Sequence, residues 1–247
     1  MKVATWNVNG IRARHEQFVD FVAAEQPDVI CLQEIKAKLD QIPQTCSIEG
    51  YTCYWHGAGG YSGVALHVRQ SMGEKVDYTH PEFDLETRIV QAQIEDTVFT
   101  SVYVPNGGKD FEAKIAFLNA LIAYAAATRA RGLKLVLCGD MNIARTERDV
   151  HPKERKPRTI GQLPQERELL ERLIEEGGLV DVGRMLYPDD ENYFTWWAPW
   201  RSMRQRNIGW RLDYVLASTA LAKRAVSCPS YREIGTSDHA PVVATFD

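Results

Sequence analysis

Apolar residues in this chain follow two rhythms. Short runs of strand length, rich in Val, Ile, Leu, Tyr and Thr, recur from end to end: KVATWNV, DVICLQE, YTCYWH, GVALHVR, RIVQAQI, TVFTSVYV, LKLVLCGD, WRLDYVLAS and APVVATF. Between some of them the apolar spacing lengthens to three and four, which predicts helices over RHEQFVDFVAAEQ, FEAKIAFLNALIAYAAATRARG and QERELLERLIEEGG. The last two close on glycine, a common helix stop. From Tyr51 to Val104 strand follows strand with no room for crossover helices, so antiparallel pairing is expected there, while the flanks read as α/β. Many strands with few helices predict two packed sheets with helices over their outer faces. No linker or charge block divides the 247 residues, so residues 1–247 are expected to form one domain.

Polar residues collect where the strands end. Asn7 and Asn9 follow KVATW, Glu34 follows DVICLQ, and Tyr103 and Asn106 end TVFTSVYVPN. Asp140 and Asn142 close LVLCGDMN, Asp213 lies in WRLDY, and Asp238 and His239 precede the last apolar run. Asp140 and Asn142, two positions apart, share one face of an extended segment and could act as a pair. Read alone, they could equally open a turn and cap the next segment. KVATWNVN and LKLVLCGDMN each send an apolar strand into an Asn-bearing corner, which suggests two related halves meeting at one rim.

Composition changes this picture only in part. A formal charge of -4 weighs against a nucleic-acid partner, although phosphate binding depends on local contacts rather than net charge. Five cysteines form an odd set without CxxC spacing, and Cys31 and Cys138 lie inside apolar runs, so a reducing compartment is expected. The opening MKVATWNVNG lacks a signal-peptide layout, and no apolar run is expected to be long enough to span a bilayer. A cytoplasmic protein with no membrane partner is the resulting expectation.

Carboxylate and amide oxygens suit a hard divalent ion such as magnesium or manganese, and Glu34, Asn7 and Asp238 are the candidate ligands. Magnesium takes few protein carboxylates and completes its shell with water and substrate phosphate oxygens, so a sparse ligand set predicts a phosphate ester substrate. Asp213 with His239 would form a second unit, in which the carboxylate fixes the imidazole tautomer and stabilises its protonated form beside a developing anion. The stretch FTWWAPWRSMRQRNIGWRLDY holds four of the six tryptophans, Trp196, Trp197, Trp200 and Trp210, interleaved with Arg201, Arg204, Arg206 and Arg211. That composition suits a nucleic-acid groove, against an aromatic core corner with a solvated basic loop. Arg12, Arg69, Lys109 and the run HPKERKPR are further candidates for tracking a phosphate backbone, against the alternative of solvated loops. The helix QERELLERLIEE is expected to carry acidity away from that face.

Together, TWNVNGIRA, DVICLQE, GYSGVAL, VYVPNG, LCGDMNIA, LPQERE, NIGWRLDYVLAS and TSDHAPV resemble the exonuclease III family of abasic-site endonucleases, within the endonuclease/exonuclease/phosphatase superfamily. The blocks run in order from Thr5 to Val242. The resemblance implies a DNase I-like four-layer α/β sandwich, two packed mixed β-sheets flanked by helices, with the site at one rim. It implies that Glu34 and Asn7 hold the metal with Asp238 close by, and that Asp140 deprotonates the attacking water while Asn142 fixes it. Asp140 and Asn142 could instead hold a second ion. Tyr103 and His239 would contact the scissile phosphate, and Asp213 would orient His239. Trp196, Trp210 and Leu212 would wall a pocket for an extruded abasic sugar, Gly161 would leave it space, and Asn106, Lys109 and Trp200 would add substrate contacts. The implied activity is metal-dependent cleavage 5′ to abasic sites, with 3′–5′ exonuclease and 3′-end cleaning. Mg2+ is the implied cofactor with Mn2+ as substitute, and the partner is duplex DNA carrying abasic sites or blocked 3′ ends, bound by a monomer. Two departures stand out: Thr87 occupies a position where relatives often carry glycine, and the loop RTERDVHPKERKPRTIG lacks the asparagines some relatives use on the undamaged strand. A lipid or inositol phosphate phosphoesterase of the same superfamily, and a non-catalytic DNA-binding module, are the alternatives.

Overall fold

The computed structural model describes residues 1–73 and 75–247. Its first unit runs β1 (Lys2–Asn7), α1 (Ile11–Glu25) and β2 (Val29–Gln33), and the expected antiparallel stretch follows as β3 (Tyr51–His56), β4 (Val64–Arg69), β5 (Asp77–Thr79), β6 (Ile89–Ile94) and β7 (Thr97–Tyr103). Then come α2 (Phe111–Ala130), β8 (Lys134–Asp140), α3 (Pro164–Gly177), β9 (Leu179–Asp181), α4 (Val182–Leu186), β10 (Asp213–Ser218), α5 (Thr219–Ala222), β11 (Ala225–Ser227) and β12 (Val242–Phe246).

Among the described residues the strands form two six-stranded sheets, ordered β11-β12-β1-β2-β4-β3 and β5-β6-β7-β8-β10-β9. Each contains one parallel pair, β1 with β2 and β7 with β8, joined by α1 and α2 respectively, and the other pairings are antiparallel. The sheets therefore repeat each other strand for strand. The two related halves exist, but β7 takes the place of β1 and β8 that of β2, whereas the sequence likeness matched β1 with β8. Ladder pairing, and not the shared Asn corner, decides equivalence.

Strand alternation divides the core. Val3, Val29 and Cys31 face Phe99, Cys138 and Val215 between the sheets, while Ala4, Trp6, Ile30 and Leu32 pack outward against Phe18 and Phe21 of α1. Helices α2 and α3 cover the outer face of the second sheet through Leu118, Leu121, Leu170 and Leu173. Burial on both faces is why the strands read as nearly unbroken apolar runs. The result is the expected four-layer sandwich. By length and composition α2 could cross a membrane, contrary to the sequence expectation, but its apolar stripe packs on the second sheet and α3. All five cysteines are free thiols.

The two parallel pairs end at one rim. Asn7 lies opposite Gln33, Tyr103 opposite Asp140, and Asp140 opposite Asp213 at the start of β10. The polar corners thus converge because parallel neighbours finish at the same edge.

Candidate active site

Chain geometry at this rim is tight. Asn9, Glu34 and Asn142 adopt left-handed backbone angles with φ of 44°, 49° and 51°, turning the chain sharply as each strand leaves its sheet. Gly139, at φ +148°, lets β8 approach β7 so closely that a Cβ would lie 1.8 Å from the Val102 carbonyl oxygen.

Asn7 is fully buried, and its amide NH2 donates to Glu34 Oε1 and to Asp140 Oδ2, at 3.0 Å each. The Lys36 ammonium sits 2.7 Å from the other Glu34 oxygen. Asp140 accepts from the backbone N–H of Asn142 at 2.8 Å and from its side-chain amide at 3.3 Å. Asn106 in turn donates to the Asn142 side-chain oxygen at 3.1 Å. From the opposite side His239 Nδ1–H donates to Asp213 Oδ2 at 2.8 Å, leaving Nε2 3.7 Å from Asp140 Oδ2. Thr195 holds the same Asp213 oxygen through its hydroxyl at 2.6 Å.

Burial gives these groups unusual proton affinities. It pushes the Asp140 carboxyl up to about 7, His239 opposes the rise, and Asp213 and Glu34 add to it. For His239 burial acts downward, but the Asp213 and then Asp140 carboxylates outweigh it and hold the imidazole protonated, raised to about 10. Burial also opposes the charge on Asp238, yet His239 and hydrogen bonds from Trp196 and Asn9 keep that carboxyl below its ordinary value. The site thus contains an acid poised near neutrality and a standing imidazolium.

Oxygens of Glu34 and Asp140 lie with a ring nitrogen of His239 inside a 4.8 Å cluster. Between the two carboxylates the Asn7 NH2 fills the place of positive charge, and half a turn of that amide would present its oxygen instead. Hard oxygen donors with excess negative charge fit a divalent cation. Asp238 stands beside this cluster rather than in it, because Asn9 and Trp196 hold its two oxygens at 2.7 and 3.0 Å.

Above the cluster opens a cleft of about 330 Å³. Its polar floor comes from Glu34, Tyr103, Asn106, Asp140, Asn142, Asp238 and His239, and its walls from Ile160, Gly161, Trp196, Trp210 and Leu212. Trp196 and Trp210 meet edge to face with ring centroids 5.6 Å apart. Two expected contacts lie elsewhere. Lys109 lines an adjoining recess, which shares Tyr103 and Asn106 with the cleft, and Trp200 stands 59% exposed outside both.

The Trp–Arg stretch needs correcting in part. Arg211 is only 1% exposed and binds Asp149 and Asp181 at 2.7 Å, so it is an interior ion-pair hub rather than a phosphate contact. Arg204 donates to the carbonyls of Arg232, Ile234 and Ser237 and stacks on Trp197, a core residue. Only Arg201 and Arg206 remain exposed. Arg69 is likewise tied to the Gln26 and Pro27 carbonyls. Nor does α3 carry all its acidity away from the site: its buried Glu166 pairs with Lys114, whose ammonium donates to the Asn142 carbonyl at 2.9 Å. A signal for Lys114 was present in the sequence, since it occupies the same three-and-four stripe as Phe117, Leu118 and Leu121. Sequence reading also missed Lys36, Thr195 and Ser237, whose hydroxyl donates to the Asn7 carbonyl. Arg88 pairs with Glu86 and lies 4.7 Å above the Tyr103 ring, where the two side chains border the adjoining recess.

Residues 4–239 match the profile of the Endonuclease/Exonuclease/phosphatase family. The chain belongs to this family. Among curated members, the exodeoxyribonuclease of Bacillus subtilis (strain 168) is 34% identical, over 98% of each chain. Solved family structures superpose closely. A variant of the 3′ phosphatase NExo from Neisseria, bound to a product DNA hairpin, gives a TM-score of 0.91 at 32% identity over 100% of this chain and 99% of that one. An AP endonuclease from Archaeoglobus fulgidus gives 0.88 at 30% identity over 100% and 99%. Within the Endonuclease/Exonuclease/phosphatase family the chain is of the exonuclease III type, as its sequence blocks indicated.

Proposed function

We propose that the protein is a DNA repair phosphodiesterase that hydrolyses duplex DNA on the 5′ side of abasic sites and also clears 3′ ends. The observation that carries this reading is the pairing of Asp140 with imidazolium His239 beneath a cleft walled by Trp196, Trp210 and Leu212. Asp140 accepts a proton from the attacking water as its oxygen bonds to phosphorus, and Asn142 aims that water. The phosphorus–ester oxygen bond breaks, and the departing oxygen is protonated from solvent. His239, charged and fixed by Asp213, donates to a phosphate oxygen as negative charge builds there. Glu34 and Asn7 would hold Mg2+, or Mn2+ in its place, which when bound neutralises charge on the phosphate. Apolar walls favour a sugar without its base, because a flipped intact nucleotide brings added bulk and polar groups. Relatives named for exodeoxyribonuclease, 3′ phosphatase and AP endonuclease activity support DNA as the substrate class.

The test uses end-labelled duplexes carrying one abasic analogue, an intact 3′ end or a 3′ phosphate, incubated with and without Mg2+. Metal-dependent incision at the abasic site is expected. Untouched DNA together with turnover of phosphoinositide or sphingomyelin would favour a lipid phosphoesterase. Binding without any cleavage would favour a silent DNA-binding module.

A further inference from the structure

We propose that His56, His80 and Asp84 form a second metal site, selective for a borderline divalent transition metal, Zn2+ foremost, that ties the edges of the two sheets together. One donor atom from each residue lies within 4.8 Å of the others. His56 ends β3 at the edge of the first sheet, and His80 and Asp84 sit in the segment joining β5 to β6 at the edge of the second. His56 Nε2 is 2.7 Å from Asp84 Oδ2. The other oxygen of Asp84 accepts from the backbone N–H groups of Arg88 and Ile89 at 2.8 and 3.1 Å, so this carboxylate is oriented from behind, as metal-ligating carboxylates are.

A hydrogen bond accounts for His56 and Asp84 but leaves His80 unexplained. Its ring stacks on His56 with centroids 4.5 Å apart and planes inclined by 13°. Among the described residues the His80 ring makes no hydrogen bond, so its nitrogens are available. Tetrahedral zinc places its donors about 3.3 Å apart. His80 is exposed, and its ring would have to turn out of the stack on His56 to bring a nitrogen to that spacing. Two imidazoles and one carboxylate discriminate against Mg2+ and leave a coordination position open to water. Such an ion would also brace the turn that sets Arg88 over Tyr103.

The experiment titrates the 247-residue protein with Zn2+ in saturating Mg2+, which occupies oxygen-rich sites, and follows both heat and melting temperature. The parent should bind one equivalent of Zn2+ and melt at a higher temperature with it. His80→Ala, a change at an exposed position, should weaken that binding by at least roughly tenfold and abolish the melting shift, and His56→Ala should do the same. Equal Zn2+ affinity in parent and His80→Ala would overturn the site, as would the absence of Zn2+ binding to the parent under these conditions.

Discussion

As the proposed base, Asp140 would have to be basic enough to take a proton yet ionised often enough to act, and a proton affinity near 7 meets both demands at neutral pH. Asp140→Asn keeps the shape and removes the basicity. Cleavage should fall by about 10²- to 10⁴-fold while DNA binding persists, read by single-turnover incision alongside fluorescence anisotropy. Activity within tenfold of the parent would remove Asp140 from the role of base. Glu34 makes a different demand, because both its oxygens already draw positive partners, the Asn7 NH2 and the Lys36 ammonium. Glu34→Gln withdraws an anionic donor, so the Mg2+ concentration giving half-maximal cleavage should rise clearly, with little change in the rate at saturation. An unaltered metal titration would exclude Glu34 as ligand.

At the scale of elements, the segment from Thr195 to Asp213 both walls the cleft and reaches into the interior. Trp210→Ala should cut the preference for abasic over intact sites by roughly tenfold to a hundredfold, since an apolar stacking wall is worth about 1–3 kcal/mol. Cleavage of the two substrates, measured with the melting temperature, separates a lost wall from a lost fold, and unchanged selectivity would refute the wall. Arg211→Met instead leaves Asp149 and Asp181 facing each other without their shared cation, at a cost of about 3–5 kcal/mol in urea unfolding. The sequence made the cleft side of this segment legible through Trp196, Trp210 and Leu212, but it could not separate Arg211 from its exposed neighbours. Those arginines are chemically identical, and the aspartates that draw one inward lie 62 and 30 residues away along the chain. Nine of the twelve described strands were legible from their apolar runs, most of them buried on both faces, but the three-residue strands β5, β9 and β11 were not, being too short to show a pattern. The matching of the two halves was not legible either, because ladder partners carry no local signature.

For the whole molecule, acid acts on stability in two directions: Asp140, whose carboxyl is raised to about 7, adds stability as pH falls from there toward 3.8, while groups remote from the cleft remove it. His67 is fully buried beside Phe18 and Trp55, and burial lowers its proton affinity to about 4 from an ordinary 6.5. Between those values the unfolded chain binds the extra proton, so the contribution of His67 to stability declines as pH falls from about 6.5 to about 4, by up to about 3 kcal/mol. Asp149 adds a loss of the same sign further down. Burial opposes its charge, but Arg211 and Arg184 outweigh burial and hold the carboxyl well below its ordinary value, so the unfolded chain is protonated first as pH drops below about 3.8. Between pH 7 and pH 4 the urea midpoint of the parent should fall relative to that of His67→Phe, since the opposing contribution of Asp140 is common to both, and parallel pH profiles would clear His67. The last consequence comes from the rim where the strands end. Asn7 lies on the first strand, His239 just before the last, and β1 and β12 pair directly. The proposed site therefore joins two segments far apart in sequence: until β12 docks, β1 is paired on the β2 side alone, and the imidazole that the proposed mechanism places beside Asp140 has no seat.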